Sequence, residues 1–526
     1  MLTYDYVIVG AGSAGCVLAG RLSEDPAVQV LLLEAGPSDR KQEIRVPAAF
    51  SKLFKTAYDW DFHTGKQPEL AQRELYWPRG RTLGGSSSLN AQMWVRGHRA
   101  DYDGWAELGA EGWSYDEVAP YFRRAEHRTG SNNGDVYGTD GPLHIQELRD
   151  PNPTTLAFLA ACAEQGMPRL GELNSPDNEG YSPTPVTQKR GRRWSAADGY
   201  LHPARKRPNL TVTTGARARK VLIDNDKRAI GVEYADSSDR IHQVRARREV
   251  VLSGGAIGSP HLLMLSGIGD PDVLRTAELP VRHELPGVGR NLQDHLAAAT
   301  LTSCTEPVTL AGAESPAQLL RYLLLAKGLL TSNVGEAVAF IRTDEDAPAP
   351  DIELIFAPGP FVNHGLEPPA GHGITVAAVL LQPRSTGTIV PSGPDPYRRP
   401  VIDPAYLSAP EDRTTLVAGL RRAASLLTTS ALGRYVGAPM APWPGIGDDD
   451  DTINRYVNEH SETLYHPVGT CRMGTGGDAV VDPELRVHGI TNLRVVDASV
   501  MPRINRGHTH APTVMIAEKA ADLMKR

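Results

Sequence analysis

The clearest hydrophobic pattern lies at the start of the chain, where short apolar runs flank an amphipathic segment. Residues 5–10 (DYVIVG) predict a buried strand, and after a glycine-rich turn a helix is predicted through Leu22. A second apolar run, Val28–Leu33, predicts another buried strand that ends in Glu34. This strand–helix–strand order predicts a parallel sheet, because parallel strands need a crossover connection between them.

The middle of the chain has alternating apolar and polar runs that are typical of exposed strands. The alternation predicts three short antiparallel strands: Leu210–Thr213, Arg219–Ile223 and Gly231–Tyr234. Val250–Leu252 then predicts another buried strand, with a helix at residues 259–265 behind it. Residues 75–105 are rich in Gly, Ser, Asn and Arg and are interpreted as an extended loop that lines a site.

The pattern changes from about residue 300 to 455, where strands are separated by loops rich in proline and glycine. The strands predicted there are Ile352–Phe356, Ile374–Leu381 and Thr388–Val390. Near the end of the chain, a buried strand at Leu493–Val496 and a helix at Ala511–Met524 return to the pattern of the first residues. The last segment is therefore expected to complete the domain that the first one begins.

A chain of 526 residues is too long for one core, which rarely grows past roughly 300 residues. We predict an α/β fold, α+β overall, with two domains. Residues 1–155, 200–300 and 460–526 form a discontinuous Rossmann-like domain, and residues 156–199 and 301–459 form a second domain with an antiparallel sheet.

The composition is that of an ordinary globular protein, with 40% hydrophobic and 22% charged residues. The formal net charge of -7 gives no support to nucleic-acid binding, which favours a basic surface. Four cysteines, none in a C-x-x-C pair, indicate reduced thiols and a cytoplasmic location rather than a disulfide framework. No signal peptide is visible, and no apolar stretch approaches the roughly 20 residues that span a bilayer.

The strongest motif is the turn Gly10-Ala-Gly12-Ser-Ala-Gly15, which follows the first strand and opens the first helix. Gly10 permits a tight turn, Gly12 lets the backbone approach a pyrophosphate, and Gly15 lets helix and strand pack closely. The helix N-terminus favours phosphates, and Glu34 can accept hydrogen bonds from ribose hydroxyls. The motif predicts a dinucleotide site and leaves the choice between FAD and NAD open.

Four further segments carry a family resemblance: residues 79–105 (with RGRTLGGSSSLN), 255–269 (GAIGSPHLLMLSGIG), 465–474 (YHPVGTCRMG) and 497–513 (with GHTHAPT). Together they resemble the glucose–methanol–choline (GMC) family of FAD-dependent oxidoreductases, and the resemblance covers nearly the whole chain. It implies FAD as the cofactor, bound by the Rossmann-like domain, with the second domain binding substrate. It also implies oxidation of an alcohol to its carbonyl by hydride transfer to flavin N5.

The glycine motif and the resemblance together predict the residues that contact FAD. These are Gly10, Gly12, Ser13, Ala14, Gly15, Glu34, Ala35, Arg81, Thr82, Gly85, Ser86, Asn90, Ala91, Val221, Asp497, Ala498 and Thr513. Some members of the family link FAD covalently to a histidine just before the asparagine of the GGSSxxN segment. Leu89 occupies that position here, so non-covalent FAD is expected.

The catalytic prediction rests on two histidines that the resemblance places at the flavin. His466 is expected to accept the hydroxyl proton, because a neutral imidazole is a suitable base near neutral pH. His510 is expected to bond the substrate oxygen and help to hold the reacting carbon. His508, two residues earlier, leaves open which imidazole of the GHTH run points inward, and no further ligands complete a metal site around this pair.

The substrate contacts and the electron acceptor are less specified. Candidates for lining the pocket are Tyr465, Trp60, Phe62 and Trp94, although aromatic residues are also ordinary core. Glu336 is a candidate partner for a cationic headgroup, with a solvated charge on a strand as the alternative. Oxygen, a quinone or a carrier protein remain open as electron acceptors, so that oxidase and dehydrogenase are not separated. A FAD-containing lyase, a photodecarboxylase and a flavoprotein that only binds remain alternatives, and the oligomeric state is not predicted.

Overall fold

The protein is described from a computed structural model that covers residues 2–129, 136–367, 370–445 and 449–525. The strands in these residues are β1 (Leu2–Val9), β2 (Val30–Glu34), β3 (Phe62–His63), β4 (Tyr76–Trp77), β5 (Glu126–Arg128), β6 (Leu143–Ile145), β7 (Gly180–Pro183), β8 (Gln188–Lys189), β9 (Arg192–Arg193), β10 (Leu210–Thr214), β11 (Arg217–Ile223), β12 (Ala229–Ala235), β13 (Ile241–Leu252), β14 (Ile268–Gly269), β15 (His283–Glu284), β16 (Leu296–Cys304), β17 (Ala337–Ile341), β18 (Ile352–Ala357), β19 (Gly373–Leu380), β20 (Thr388–Val390), β21 (Val401–Asp403), β22 (Val436–Pro439), β23 (Glu462–Thr463) and β24 (Leu493–Val495).

The helices of the same residues are α1 (Ser13–Leu22), α2 (Gln42–Arg45), α3 (Arg99–Glu107), α4 (Tyr115–Ala125), α5 (Pro153–Glu164), α6 (His202–Ala204), α7 (Gly255–Leu265), α8 (Pro271–Thr276), α9 (Pro316–Leu325), α10 (Pro410–Leu426), α11 (Ser430–Gly433), α12 (Asp450–His460) and α13 (His510–Lys525). None of the helices in the described ranges is long and apolar enough to cross a membrane.

The first sheet has the strand order β10-β2-β1-β13-β12-β11, and β24 pairs with β13. β10, β2, β1, β13 and β24 run parallel, whereas β11 and β12 are antiparallel to their neighbours. β2 is buried along its whole length, as an apolar run in a covered parallel sheet should be. The C-terminal helix α13 returns to this sheet, where the Tyr6 hydroxyl donates to the Met524 carbonyl.

The prediction of three antiparallel strands is wrong for the first of them. β10 lies parallel to β2, and only β11 and β12 form an antiparallel pair. An alternating run shows which side chains face the core but carries no information on strand direction. The long connection between β2 and β10 includes several helices, and such a crossover is what a parallel neighbour requires.

The second sheet has the order β22-β16-β19-β18-β17-β7, with β23 beside β16, and all its pairs are antiparallel. The two faces of β18 have different partners, because side chains alternate along a strand. Leu354 and Phe356 belong to the core that also contains α10 residues, whereas Ile355 and Ala357 face a large cavity. This sheet therefore covers the cavity on one side.

The predicted fold class is confirmed, since a mostly parallel sheet built from both ends of the chain is combined with an antiparallel sheet. The helix predicted at 259–265 begins earlier, at Gly255. Within residues 75–105, most of the backbone is irregular as expected, but α3 begins at Arg99, where Asp101 and His98 form a capping box. The domain boundaries given above stay a prediction.

Candidate active site

A cavity of about 560 Å³ lies between the two sheets and has the size of a small-molecule site. Its walls come from the turn between β1 and α1, the loop at residues 78–93, the start of α7, and the loops at 464–467 and 508–510. β18 and β19 complete the wall with Ile355, Ala357, Thr375 and Ala377.

The glycine turn forms one part of this cavity, and its three glycines differ in what surrounds them. Gly10 has a φ of 99°, which an L side chain rarely adopts. A Cβ on Gly15 would lie 1.9 Å from the Gly10 carbonyl oxygen, so Gly15 serves helix–strand packing and does not line the cavity. A Cβ on Gly12 would meet only the Ser253 carbonyl at 4.0 Å and would occupy cavity space. These roles are those of a dinucleotide-binding turn.

Glu34 ends β2 at the cavity wall, where two backbone amides hold its carboxylate. The Ala11 amide donates to Oε2 at 2.9 Å and the Gly36 amide donates to Oε1 at 2.8 Å. Burial raises the pKa of Glu34 to about 7, although both amides oppose this shift. Each oxygen keeps a further lone pair, so the carboxyl group can still accept hydrogen bonds from a ribose.

Most residues predicted to contact the cofactor do line the cavity. They are Gly10, Gly12, Ser13, Ala14, Glu34, Ala35, Arg81, Gly85, Ser86, Asn90, Ala91, Asp497, Ala498 and Thr513. Thr82 does not, because its hydroxyl turns away and donates to the Pro37 carbonyl at 2.9 Å. Asp497 also acts within the protein, since its Oδ2 accepts from the Gly255 amide and from the Ser259 hydroxyl at the start of α7.

Val221 is not brought to the cavity, which corrects that expectation. Its side chain is buried, and its amide donates to Ser266 Oγ at 2.8 Å. The chain instead reaches the cavity with residues 216–218 at the start of β11. The sequence identified the right strand but placed the contact several residues too far along it.

Polar atoms without partners show what kind of ligand the cavity suits. Across the described part of the chain, Arg81 Nε, Ser253 Oγ and His510 Nε2 are buried cavity-wall atoms that have no hydrogen-bond partner. Each such atom costs roughly 1–3 kcal/mol unless a ligand satisfies it. A nucleotide cofactor with phosphate, ribitol and ring acceptors would satisfy Arg81 and Ser253, which together with the glycine turn fit FAD, and His510 Nε2 is left for a second ligand.

Trp60, a predicted substrate contact, lines the cavity among cations and another aromatic ring. Arg81 and Arg217 lie 5.2 and 5.3 Å from its ring centroid, and Phe62 stacks on it at 5.8 Å. Phe62 also lines the cavity, whereas Trp94 is buried behind it and donates through Nε1 to Glu126. The arginines give this part of the cavity a positive character that suits phosphates or a nucleotide base.

His466 lies at the cavity wall and is held from two directions. Its amide donates to Asp294 Oδ1 at 2.6 Å, and its Nδ1 lies 2.9 Å from Nδ1 of His295. The ring of His508 meets it edge to face, with centroids 4.8 Å apart. Burial, with His508, His295 and Arg79 adding to it, lowers the pKa of His466 well below the ordinary value. The imidazole is therefore neutral at neutral pH.

The two histidines of the GHTH run have different partners, although both line the cavity. Nδ1 of His510 lies 3.0 Å from Ser13 Oγ, and burial lowers the pKa of His510 to about 4. Nε2 of His508 lies 3.0 Å from Glu353 Oε1. The structure thus brings His466 and His510 to one cavity as predicted, and places His508 beside the ring of His466.

An aromatic cluster lines the cavity next to His466. Phe54 contacts both Phe50 and Tyr465, with centroids 5.8 and 6.2 Å apart, and Phe361 adds to the cluster through Phe50. The Tyr465 hydroxyl lies 2.7 Å from His364 Nδ1. Tyr465, a predicted substrate contact, is therefore present at the cavity.

Glu336 does not reach the cavity, so the structure does not support its predicted contact with substrate. Only 1% of Glu336 is exposed, and its carboxylate accepts hydrogen bonds from the Asn152 amide and from the Thr155 and Ser332 hydroxyls. These bonds hold the segment after residue 331 against α5. The neighbouring Val334 and Gly335 line the cavity in its place.

Three polar residues that support the histidines were not predicted from the sequence: Asp294, His295 and Glu353. Asp294 also accepts from the Thr463 hydroxyl at 2.6 Å. The only sequence signal for the first two was an adjacent Asp-His pair just before a buried strand. Glu353 lies within an apolar run, where a lone carboxylate signals a buried partner.

Comparisons with known proteins agree with this site. Models of the GMC oxidoreductase family match residues 4–297 and 383–517. The chain is 41% identical to alcohol dehydrogenase [acceptor] of Pseudomonas putida, over 99% of this chain and 96% of that one. It is 43% identical to mitochondrial choline dehydrogenase of Mus musculus, over 99% and 89%.

The structure of pyridoxine 4-oxidase from Mesorbium loti superposes with a TM-score of 0.90 at 36% identity, covering 99% of this chain and 98% of that one. These matches confirm the resemblance that was drawn from the sequence.

Proposed function

Because this chain belongs to the GMC oxidoreductase family, we propose that it oxidises an alcohol to the corresponding carbonyl compound with His466 as the base. One observation carries this proposal. His466 is a buried, neutral imidazole at the wall of the cavity, and its Nδ1 is already engaged by His295, so its Nε2 is left for a ligand. Family membership makes the chain an oxidoreductase and confirms FAD as its cofactor.

The residues that would hold FAD are those of the cavity wall described above. Gly10 and Gly12 with the N-terminus of α1 suit the pyrophosphate, Glu34 suits the ribose, and Arg81 and Ser253 offer unpaired donors. When bound, FAD supplies the acceptor for the hydride. We propose that residues 1–155, 200–300 and 460–526 form the FAD-binding domain and that the remaining segments form the substrate-binding domain.

The chemistry of the chain's own residues follows from the protonation states. The alcohol must lose its hydroxyl proton as it becomes a carbonyl, and neutral His466 accepts that proton on Nε2. The hydrogen bond that the His466 backbone amide donates to Asp294 keeps the backbone of His466 in place. His510, with Nδ1 against Ser13 and Nε2 unpaired, hydrogen-bonds the substrate oxygen and orients it.

The wall beside His466 favours an uncharged, apolar substrate. Phe50, Phe54, Phe361 and Tyr465 surround this part of the cavity, and Glu336 is turned away from it. A quaternary ammonium substrate is a second candidate, because an aromatic cluster can bind a cation and choline dehydrogenase is a relative. Because Glu336 is turned away, however, the cluster suits neutral alcohols with aromatic or aliphatic substituents better.

We expect neutral primary alcohols with aromatic or aliphatic substituents to reduce the bound flavin in the dark without oxygen. Their kcat/KM should be at least about 10-fold above that for choline, because the ammonium group of choline lacks the ion pair with Glu336, and one such contact is worth more than about 1.4 kcal/mol. The measurement is flavin absorbance after anaerobic mixing with a matched panel of alcohols. Choline as the best substrate would instead support the second candidate. If no alcohol reduces the flavin, the lyase or photodecarboxylase alternative is favoured. The reactions that do occur are repeated in air with peroxide detection, which separates an oxidase from a dehydrogenase.

We also propose that FAD is bound without a covalent link. Leu89 occupies the attachment position, lines the cavity and has no nucleophilic atom. Acid precipitation of the protein is expected to release intact FAD into the supernatant, where chromatography identifies it. Flavin that remains in a yellow pellet after repeated washing would show a covalent bond and contradict this proposal.

A further inference from the structure

His295 lies behind His466 and is fully buried in the segment just before β16. Its Nδ1 lies 2.9 Å from Nδ1 of His466, and the two rings are nearly perpendicular, with an interplanar angle of 80°. Its other ring nitrogen, Nε2, lies 3.1 Å from the backbone carbonyl oxygen of Leu381. His295 is not part of the cavity wall, so it acts on a substrate only through His466.

The protons of this pair can be assigned from these contacts. A carbonyl oxygen only accepts, so Nε2 of His295 carries a proton and donates to Leu381. A neutral imidazole has one N–H, which leaves Nδ1 of His295 as an acceptor. The short contact between the two Nδ1 atoms needs one proton, and that proton must therefore belong to His466. With its proton on Nδ1, His466 has an unprotonated Nε2.

We propose that His295 is a positioning residue that sets the tautomer of His466, so that the basic lone pair lies on Nε2. The proposal rests on the proposed role of His466 as the base. It adds that the direction of this base is set by a chain of two hydrogen bonds, from His466 to His295 and from His295 to the Leu381 carbonyl. Which ring nitrogen of a histidine carries the proton is commonly decided by the hydrogen bond that the other ring nitrogen makes.

The opposite assignment, with His295 donating from Nδ1, would make His295 a cation. Burial disfavours this and, with His508 nearby, lowers the pKa of His295 to about 3, more than the carbonyls of Leu381 and Asn505 raise it. Arg79 and His508 also face His466 and disfavour a positive charge on the pair, whereas the carboxylate of Asp294 accepts from the backbone amide of His466. The neutral pair with one shared proton is therefore the stable state.

The same arrangement serves the reaction without moving further protons. The hydroxyl proton of the alcohol goes to Nε2 of His466, while Nδ1 keeps the proton it already had. His466 is then an imidazolium, and its hydrogen bond to neutral His295 becomes charge-assisted and stronger. His295 keeps its single proton throughout.

Two substitutions of His295 separate its hydrogen bonds from its volume. In His295→Gln, the amide oxygen can accept from His466 and the amide nitrogen can donate to Leu381, so flavin reduction is expected within about 3-fold of the native rate. In His295→Leu, both bonds are lost and His466 is free to adopt the wrong tautomer. Flavin reduction is then expected to fall on the order of 10²-fold, the usual worth of a positioned general base, at unchanged FAD content.

The decisive readout is the tautomer of His466 itself, from nitrogen NMR spectra of the holoenzyme with isotope-labelled histidine, assigned with His466→Gln. The native protein should show a protonated Nδ1 and an unprotonated Nε2, a pattern that His295→Gln keeps and His295→Leu loses. A native His466 protonated on Nε2 would overturn the proposal even if His295→Leu did not fold, and so would equal rates in the Gln and Leu variants. If His466→Gln itself reduces flavin normally, the proposed function fails instead.

Discussion

Replacing His466 with glutamine is expected to slow flavin reduction by roughly 10²-fold or more and to leave FAD bound, since this is the usual worth of positioned general base catalysis. Glutamine is close in size to histidine and can still bond a neighbour, but it cannot accept a proton near neutral pH. His466 lines the cavity, and its Nδ1 is engaged by His295. The substitution therefore removes the basic nitrogen that is left for the substrate, Nε2.

The measurement is the rate of flavin bleaching after anaerobic mixing of each variant with the best alcohol of the panel. His510→Asn is the matched control, because asparagine can still hydrogen-bond the substrate oxygen, and a milder loss is expected. His508→Ala should be milder still, since Nε2 of His508 is already paired with Glu353. A native rate in His466→Gln together with a large loss in His508→Ala would transfer the base to His508.

The pH dependence of the same rate tests the burial of His466. An exposed imidazole ionises near neutrality, so an exposed His466 would give a rate that rises with pH in that range. The structure changes this expectation, because burial lowers the pKa of His466 well below the ordinary value. The base is thus unprotonated at neutral pH, and the rate should stay level there and fall only as the pH drops into the acid range. In His466→Gln this acid limb should disappear.

The parts of the site that the sequence predicted well are those encoded locally. The glycine turn depends on backbone conformation and close approach within a few residues, and these demands leave glycine at Gly10 and Gly15. His466 and His510 were located through segments whose order along the chain matches the family. Local patterns also located the buried strands, since the order of apolar and polar side chains along a strand indicates which of them are buried.

What the sequence did not predict depends on contacts between distant segments. The direction of β10 is set by the long connection that precedes it, and the position of β11 along its neighbour decides whether residue 218 or Val221 reaches the cavity. Glu336 was a candidate for the substrate pocket because a carboxylate beside aromatic rings could bind a cationic headgroup. In the structure, hydrogen bonds from Asn152, Thr155 and Ser332 compensate for its burial.

His295 shows the same limitation at the base itself. Its contact with His466 joins residues 171 positions apart. The proton on its other nitrogen, Nε2, is assigned by the carbonyl of Leu381, which lies 86 positions along the chain. No pattern within either segment specifies this. The family resemblance located the base, but the group that orients it becomes visible only once the segments are packed together.

A second large effect is expected for Glu126, which forms a buried ion pair with Arg96 behind the site. The exposed side-chain fractions are 1% for Arg96 and 0% for Glu126. Glu126 also accepts from Trp94 Nε1 at 2.8 Å, and the Trp94 ring lies edge to face with His510. Burial lowers the pKa of Arg96, but the charge and hydrogen bonds of Glu126 raise it more, so the net pKa lies above the ordinary value.

Glu126→Ala is expected to lower the free energy of unfolding by about 3–5 kcal/mol, because it leaves the Arg96 guanidinium buried without a counter-charge. The measurement is urea denaturation of the holoenzyme followed by far-UV circular dichroism. Asp272→Ala is the control, since it breaks a surface pair with Arg275 whose side chains are 90% and 66% exposed, and no measurable change is expected.

Converting both Arg96 and Glu126 to leucine should recover part of the loss, because no unpaired charge then remains. Equal denaturation midpoints for Glu126→Ala and Asp272→Ala would show that water or a local rearrangement compensates Arg96, and that this ion pair does not stabilise the wall behind His510.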